Sequence, residues 1–292
     1  MVLLEYVLQC PSKINLTLRI TGTREDGKHN IGSLFYRLPS VEKLTFRYTE
    51  THNASKDILR VHGQVLTGKN ILESVLESAR MIDPELPALE MDLWKEVPPG
   101  SGLGSGSGNA AALVKWLSRE AGVKFTRKEM SELGSDVPFL FEGASLSFRS
   151  GTGADPVSDF SEPSRRPAAL VVIPRWTSVT CEAYRLADEV FNDSGWPCSD
   201  EEAFEEGHRI AHSMENGENI GLLPNDFLKV LLNVHPEYAE FFRIAEASGA
   251  FAWGIGGSGS SFFCLFRGGL IPGGAVSLFY KTGMILKIME LE

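Results

Sequence analysis

The chain has 292 residues, 43% hydrophobic and 23% charged, with a formal net charge of −10. These are globular values, at a length that suggests two domains and a core needing no covalent staples. The acidic balance argues against nucleic-acid binding, which takes a basic face, so an anionic ligand must be met by a local cradle of donors.

Cys10, Cys181, Cys198 and Cys264 form no CxxC pair and no zinc spacing. The stretch from Met1 to Leu8 lacks the basic region of a signal peptide. No apolar run reaches the roughly 18 residues of a membrane helix. The expectation is a cytoplasmic protein without a membrane partner.

Leu3 to Arg19 alternates and is rich in Val, Ile, Leu and Thr, which predicts strands. Arg24-Glu25-Asp26-Gly27 should break them, since Asp-Gly tolerates positive φ. Lys43 to Tyr48 and Ile58 to Val61 read as further strands. Gly63 to Lys69 fits the first seven positions of a P-loop, but Asn70 stands where Ser or Thr would hold magnesium. The segment reads instead as a hairpin turn leading to a helix over Asn70 to Met81, with Asn70 as N-cap. Leu89 to Leu93 is extended again.

Pro98-Pro99-Gly100-Ser101-Gly102-Leu103-Gly104-Ser105-Gly106-Ser107-Gly108-Asn109 then runs into Ala110 to Leu117, a strong helix former. Arg149 to Arg166 is turn-rich and divides the chain, in expectation, into 1–150 and 151–292. Beyond it, Ala168 to Ile173 predicts a buried strand, and Glu201 to Asn216 and Pro236 to Ser248 predict helices. Phe251 to Phe266 predicts a strand pair around Gly256 to Ser260. Strands and helices mix without regular βαβ alternation, so the fold class is α+β.

Glycine at every second position from Gly100 to Gly108 exceeds the needs of a turn. It suits a backbone whose N–H groups are approached by phosphates, with the following helix adding its positive dipole end. A dinucleotide GxGxxG fails from Gly100, Gly102 and Gly104. The variant ending in alanine, from Gly106 to Ala111, lacks its βαβ context.

At this loop the sequence resembles the GHMP kinases, which phosphorylate small alcohols; Pro98 to Ser107 is similar to their second motif. Pro11-Ser12-Lys13-Ile14-Asn15-Leu16-Thr17-Leu18 resembles the first motif of one subgroup, and Thr21 to His29 resembles its "TGxRxDGYH" stretch. Gly134-Ser135-Asp136-Val137-Pro138-Phe139 is similar to its "GADVPF", and Gly257 to Phe263 to its glycine-rich third motif. The match runs from about Cys10 to Phe266.

The resemblance implies a two-lobed GHMP-kinase-like fold, with the ATP-binding lobe in 1–150 and the substrate lobe in 151–292. It implies ATP with Mg2+, and the best acceptor is the 2-hydroxyl of 4-diphosphocytidyl-2-C-methyl-D-erythritol, in non-mevalonate isoprenoid biosynthesis. A different small alcohol, or a catalytically silent nucleotide binder, are the alternatives. By resemblance Asp136 takes the alcohol proton and Lys13 orients the hydroxyl and Asp136. Pro99, Gly100, Ser101, Gly102, Leu103, Gly104, Ser105, Gly106 and Ser107 bind the nucleotide, with Ser105 and Ser107 as candidate magnesium hydroxyls. Asn15, Lys28, His29, Tyr184, Gly257 and Ser258 serve the substrate, His29 at a cytosine edge and Tyr184 as a stacking ring. No set of side chains reads as a resident metal site. His208 and His212 have metal-capable spacing, but Arg209 replaces the glutamate of HExxH, and they read as a solvated face.

Three positions depart from the pattern. Lys28 stands where the subgroup has an aromatic that would stack on cytosine. Ser105 replaces the third glycine of "GLGGGSS", and Gly108 its final serine.

Overall fold

The computed structural model describes residues 5–49, 57–163, 165–191 and 195–292. The first part of the chain gives β1 (Tyr6–Asn15), β2 (Arg19–Thr23), β3 (His29–Tyr48), β4 (Ile58–His62), α1 (Ile71–Ile82), β5 (Leu89–Trp94), α2 (Ser105–Glu120), α3 (Arg127–Leu133), α4 (Val137–Glu142) and β6 (Leu146–Ser150). Then follow β7 (Asp155–Phe160), β8 (Ala168–Pro174), α5 (Thr180–Phe191), α6 (Asp200–Asn216), β9 (Gly221–Leu222), α7 (Phe227–Val234), α8 (Tyr238–Ala247), β10 (Ala252–Ile255), β11 (Phe262–Phe266), α9 (Ala275–Lys281) and β12 (Ile285–Leu291). This mixture of helices with largely antiparallel sheet is the expected α+β architecture. Among the described residues no helix is long and apolar enough to cross a membrane.

The described residues fall into two compact units. One comprises those of Met1–Lys13, Pro39–Pro99 and Gly104–Gly143, the other Ile14–Leu38, Gly100–Leu103 and Ala144–Glu292. In the first, β5 pairs antiparallel with the second half of β3, from Lys43↔Trp94 to Tyr48↔Leu89, and parallel with β4. Helix α1 makes the crossover that parallel strands require. Gly63 to Lys69 is therefore the loop from β4 into this crossover, not the hairpin turn that the sequence suggests. Asn70 does cap α1: its Oδ1 accepts from Leu72 N at 2.9 Å, and Glu73 accepts from Asn70 N at 2.7 Å. Such a cap is worth about 1 kcal/mol. Helix α2 packs against α1 and α4, and its Leu113, Val114 and Leu117 are buried.

In the second unit the sheet order is β12-β8-β11-β10-β9, and β8 is buried along its whole length. Leu170 and Val172 of β8 join Phe262, Phe241, Phe279 and Phe227 in the core. The first half of β3 pairs with β2 and β6, and β6 with β7. The turn-rich stretch thus holds a strand, although residue 164 within it lies outside the described residues. Leu3 and Leu4, where the first strand is expected to begin, also lie outside them. The predicted turn is present: Gly27 has φ +77 and donates its N–H to Arg24 O at 3.0 Å.

Helix α2 starts at Ser105, five residues earlier than the alanine run predicts. Gly104 ends the loop in the left-handed region at φ +63, and the glycines after it are helical. Glycine is a poor helix residue, but at Gly108 no other fits. A Cβ there would fall 1.7 Å from the carbonyl oxygen of Pro11. The helix lies directly on the backbone of β1.

Candidate active site

Lys13 enters from β1 with its side chain only 7% exposed, and its Nζ lies 3.4 Å from Asp136 Oδ2. A cation buried this deeply needs such a partner. Asp136 occupies the N-cap position of α4 yet makes no side-chain capping bond. Its carboxylate turns to Lys13 instead. A Cβ on Gly104 would sit 2.9 Å from Asp136 Oδ2 and 3.1 Å from Lys13 Cε, so the loop backbone borders this ion pair. A Cβ on Gly134 would lie 3.1 Å from Ser107 Oγ, which brings the segment before Asp136 beside the first turn of α2.

The N–H groups of Ser105, Gly106 and Ser107 belong to that first turn, where no intrahelical acceptor exists. Unsatisfied N–H groups at a helix N-terminus are of the kind that suit an anion. Beneath it the buried Lys95 ammonium bonds Glu42 Oε1, Glu42 Oε2 and Ser105 Oγ at 2.9, 3.0 and 3.0 Å. Lys95 and Glu42 escaped the sequence reading, although a lysine three residues before Pro98 was a usable signal.

In the second unit the earlier part of the loop is tied to the other glycine-rich segment. Ser260 N donates to Gly100 O at 3.1 Å and Ser261 N to Ser101 O at 3.0 Å. At Gly102, φ +80, a Cβ would collide with Gly256 O at 1.8 Å. Gly257 lies beside Asn15, whose Nδ2 donates to Ser33 Oγ at 2.8 Å. Ser258 O accepts from Ser178 Oγ at 2.7 Å, and the Ser258 hydroxyl meets that of Thr180 at 3.0 Å. Asn15 and the Gly257-Ser258 segment, far apart in the chain, are therefore brought together, with Gly257 against Gly102. Ser178 and Thr180 join them unforeseen.

His29 and Tyr184 also meet, but ring on ring: their centroids are 4.5 Å apart at 17°. His29 Nε2 lies 2.7 Å from Asp188 Oδ1, and Trp196 meets the imidazole edge-on at 5.3 Å. No base fits between two rings already in stacking contact, so in this arrangement Tyr184 stacks on His29. Lys28 is exposed in the turn before β3, its N–H donating to Asp26 Oδ1 at 3.1 Å. His208 rests against Phe160 and His212 bonds Asn216. Among the described residues no group of three or more His, Cys, Asp or Glu is placed to hold a metal ion.

In sequence and in fold the chain is similar to a known class of enzymes. The chain matches the GHMP kinases N terminal domain over residues 69–147 and the GHMP kinases C terminal over residues 201–269. It is 32% identical over 265 residues to a 4-diphosphocytidyl-2-C-methyl-D-erythritol kinase of Porphyromonas gingivalis, covering 88% of this chain and 90% of that one. It is 31% identical over 276 residues to the enzyme of that name from Solibacter usitatus, covering 89% and 81%. Among solved structures, a 4-(cytidine 5'-diphospho)-2C-methyl-D-erythritol kinase shares the fold at a TM-score of 0.75 and 24% identity, covering 99% of this chain and 98% of that one. The mevalonate kinase of methicillin-resistant Staphylococcus aureus MRSA252 shares it at 0.62 and 16%, covering 98% of each. The chain belongs to the GHMP kinase family, whose members pass a phosphoryl group from ATP to a small-molecule alcohol.

Proposed function

We propose that this kinase transfers the γ-phosphoryl group of ATP to the 2-hydroxyl of 4-diphosphocytidyl-2-C-methyl-D-erythritol, a step of non-mevalonate isoprenoid biosynthesis. The names of the relatives support the acceptor, and the observation that carries the chemistry is the Lys13–Asp136 pair against Gly104. Phosphoryl transfer asks mainly for positioning and charge neutralisation. Asp136 accepts the proton of the attacking hydroxyl, and Lys13 steadies the oxygen as it gains charge. The N–H groups opening α2 hold the phosphates, whose charge favours the positive end of the helix. The retained pair weighs against a catalytically silent nucleotide binder.

Mg2+ would accompany the nucleotide, neutralising phosphate oxygens through hard oxygen ligands and water. Of the two candidate hydroxyls Ser107 is retained. Ser105 is not, because its oxygen accepts from the Lys95 ammonium, a cation that would repel a metal there.

We assign ATP binding to the part of the chain up to about residue 150 and substrate binding chiefly to 151–292, which the two family matches support. Residues 14–38, with Asn15, Lys28 and His29, are compact with the second part and serve the substrate. A cytoplasmic setting agrees with four free thiols.

A second reading, a different small alcohol as acceptor, is favoured by one observation: the His29–Tyr184 stack and the exposed Lys28 leave no ready-made slot for cytosine between two rings. ADP release measured across a panel of alcohols, the cytidine-linked one included, separates the readings. The first requires that compound to have the highest kcat/KM, and a better acceptor lacking cytidine would establish the second.

A further inference from the structure

We propose that Glu42 and Lys95 are positioning residues of the phosphate loop, fixing the Ser105 hydroxyl so that it donates its proton to a phosphate oxygen of the nucleotide. The inference rests on the reading of this loop as the ATP site.

The three residues form a closed chain of bonds. Lys95 is 6% exposed, Ser105 7%, and the Glu42 side chain is fully buried. An ammonium has three protons and no lone pair. Those of Lys95 go to Glu42 Oε1 at 2.9 Å, Glu42 Oε2 at 3.0 Å and Ser105 Oγ at 3.0 Å. Glu42 Oε1 also accepts from Val97 N at 3.0 Å, which pins the carboxylate to the backbone between β5 and the loop. Ser105 can only accept from Lys95, so its own proton must point elsewhere, and among the described residues no hydrogen bond donated by that hydroxyl is present.

Ser105 is also the first residue of α2, in the turn whose N–H groups have no intrahelical acceptor. A hydroxyl polarised by a cation and placed among those donors adds one more donor to the cradle. The glycine that the family pattern has at this position would supply neither the oxygen nor the tether. A buried ion pair is weak evidence for stability, because the cost of desolvating both charges offsets most of their attraction. Service to the loop accounts for the pair better than stability does.

A double-mutant cycle on the full chain separates positioning from plain structure. One arm is Ser105→Gly; the other is the joint change Glu42→Gln with Lys95→Met, which removes both charges at similar volume. KM for ATP, KM for the alcohol, kcat and Tm are measured for each arm and for the combination. Loss of one hydrogen bond to a charged group corresponds to a roughly 10-fold rise in KM for ATP. Each arm is expected to show it, with KM for the alcohol within about twofold of wild type. The combination should be no worse than either arm, because both remove the same interaction.

Effects that multiply, or a fall in Tm with both KM values unchanged, would overturn the inference. Ser105→Thr keeps the hydroxyl and should keep the wild-type KM for ATP, whereas Ser105→Ala should not. Equal behaviour of these two would overturn the inference even if the charge-removed variant failed to fold. A wild-type chain that neither binds nor turns over ATP would overturn the reading of the site as well; an active wild type with independent arms overturns this inference alone.

Discussion

The Lys13 ammonium faces the Asp136 carboxylate at 3.4 Å, with the two side chains 7% and 19% exposed, and the backbone of Gly104 lies against both. A carboxylate at an N-cap position ordinarily bonds the helix it precedes. Asp136 makes no such bond, which leaves its lone pairs for a proton and for Lys13.

Asp136→Asn keeps the shape and removes the base. Turnover should fall by a factor of ~10² or more while ATP binding is retained. Steady-state kinetics with a parallel ATP titration checks this, and near-normal kcat in the folded variant would remove Asp136 from its role. Lys13→Met should lower kcat in the same direction, with part of the loss coming from a less stable fold.

Two glycines of the loop should differ in stability while both matter for ATP binding. Gly102→Ala forces a Cβ to within 1.8 Å of Gly256 O at a left-handed φ of +80, so Tm and ATP binding should both fall. Gly106 lies within α2, and a Cβ there meets nothing within 4 Å. Gly106→Ala should hold or raise the stability, by about 0.5–1 kcal/mol, and still weaken ATP binding, because the phosphates need close approach to that backbone. Thermal melts with and without ATP distinguish the two. A Gly106→Ala variant with wild-type affinity would move the phosphates off this turn.

The thiols set an alkaline limit. Burial, then the nearby Glu42 carboxylate, pushes the Cys10 thiol up from 9.0 to about 12. Above pH 9 the unfolded chain gives up this proton while the folded chain keeps it. The stability contribution is present below 9.0 and is lost progressively as pH rises towards 12, by up to about 1.4 kcal/mol per pH unit. Denaturant unfolding at pH 8 and pH 10 should show a smaller loss of stability for Cys10→Ala than for wild type. An equal loss in both would contradict the assignment. In the folded protein Cys181, the exposed thiol, should react first with a thiol reagent, and buried Cys10 and Cys264 only on unfolding.

Lys28→Tyr supplies a ring beside His29, where the wild type has an exposed lysine in a turn. Base stacking is worth about 1–3 kcal/mol, so the variant should bind the cytidine-linked alcohol at least several-fold more tightly, with little change in ATP affinity. Calorimetric titration of both proteins decides it. Tighter ATP binding, or no change with the alcohol, would separate Lys28 from the base.

Much of the architecture was legible where periodicity or capping is strong. Asn70 with Glu73 marks the start of α1, and the apolar run of β8 gives a strand buried on both faces. Only the last part of β3 was readable. Residues 31–36 of that strand are all buried, so the alternation that signals a half-exposed strand is absent there. Helix α5 went unseen because its buried stripe is carried mainly by Ala183, Ala187 and Phe191, a faint pattern of small residues. The glycine repeat hid the true start of α2, since the reason for Gly108 is the Pro11 carbonyl, far away in sequence. The loop was legible from its glycine spacing and the helix after it, whereas Lys13 and Asp136 were found through motif resemblance. The Glu42–Lys95–Ser105 chain and the closure of His29 onto Tyr184 depend on tertiary contacts that no local pattern encodes.

The most direct test is the identity of the product. The chain is incubated with ATP, Mg2+ and 4-diphosphocytidyl-2-C-methyl-D-erythritol, and phosphorus NMR is recorded with proton coupling. The carbon bearing the 2-hydroxyl carries the methyl group and no hydrogen, so a monoester on that oxygen gives a signal without three-bond proton splitting. This unsplit phosphomonoester is the expected product, appearing in proportion to ADP and lost in Asp136→Asn. A split signal, from phosphate on a neighbouring hydroxyl, or ADP formed without any new phosphomonoester, would contradict the proposed function.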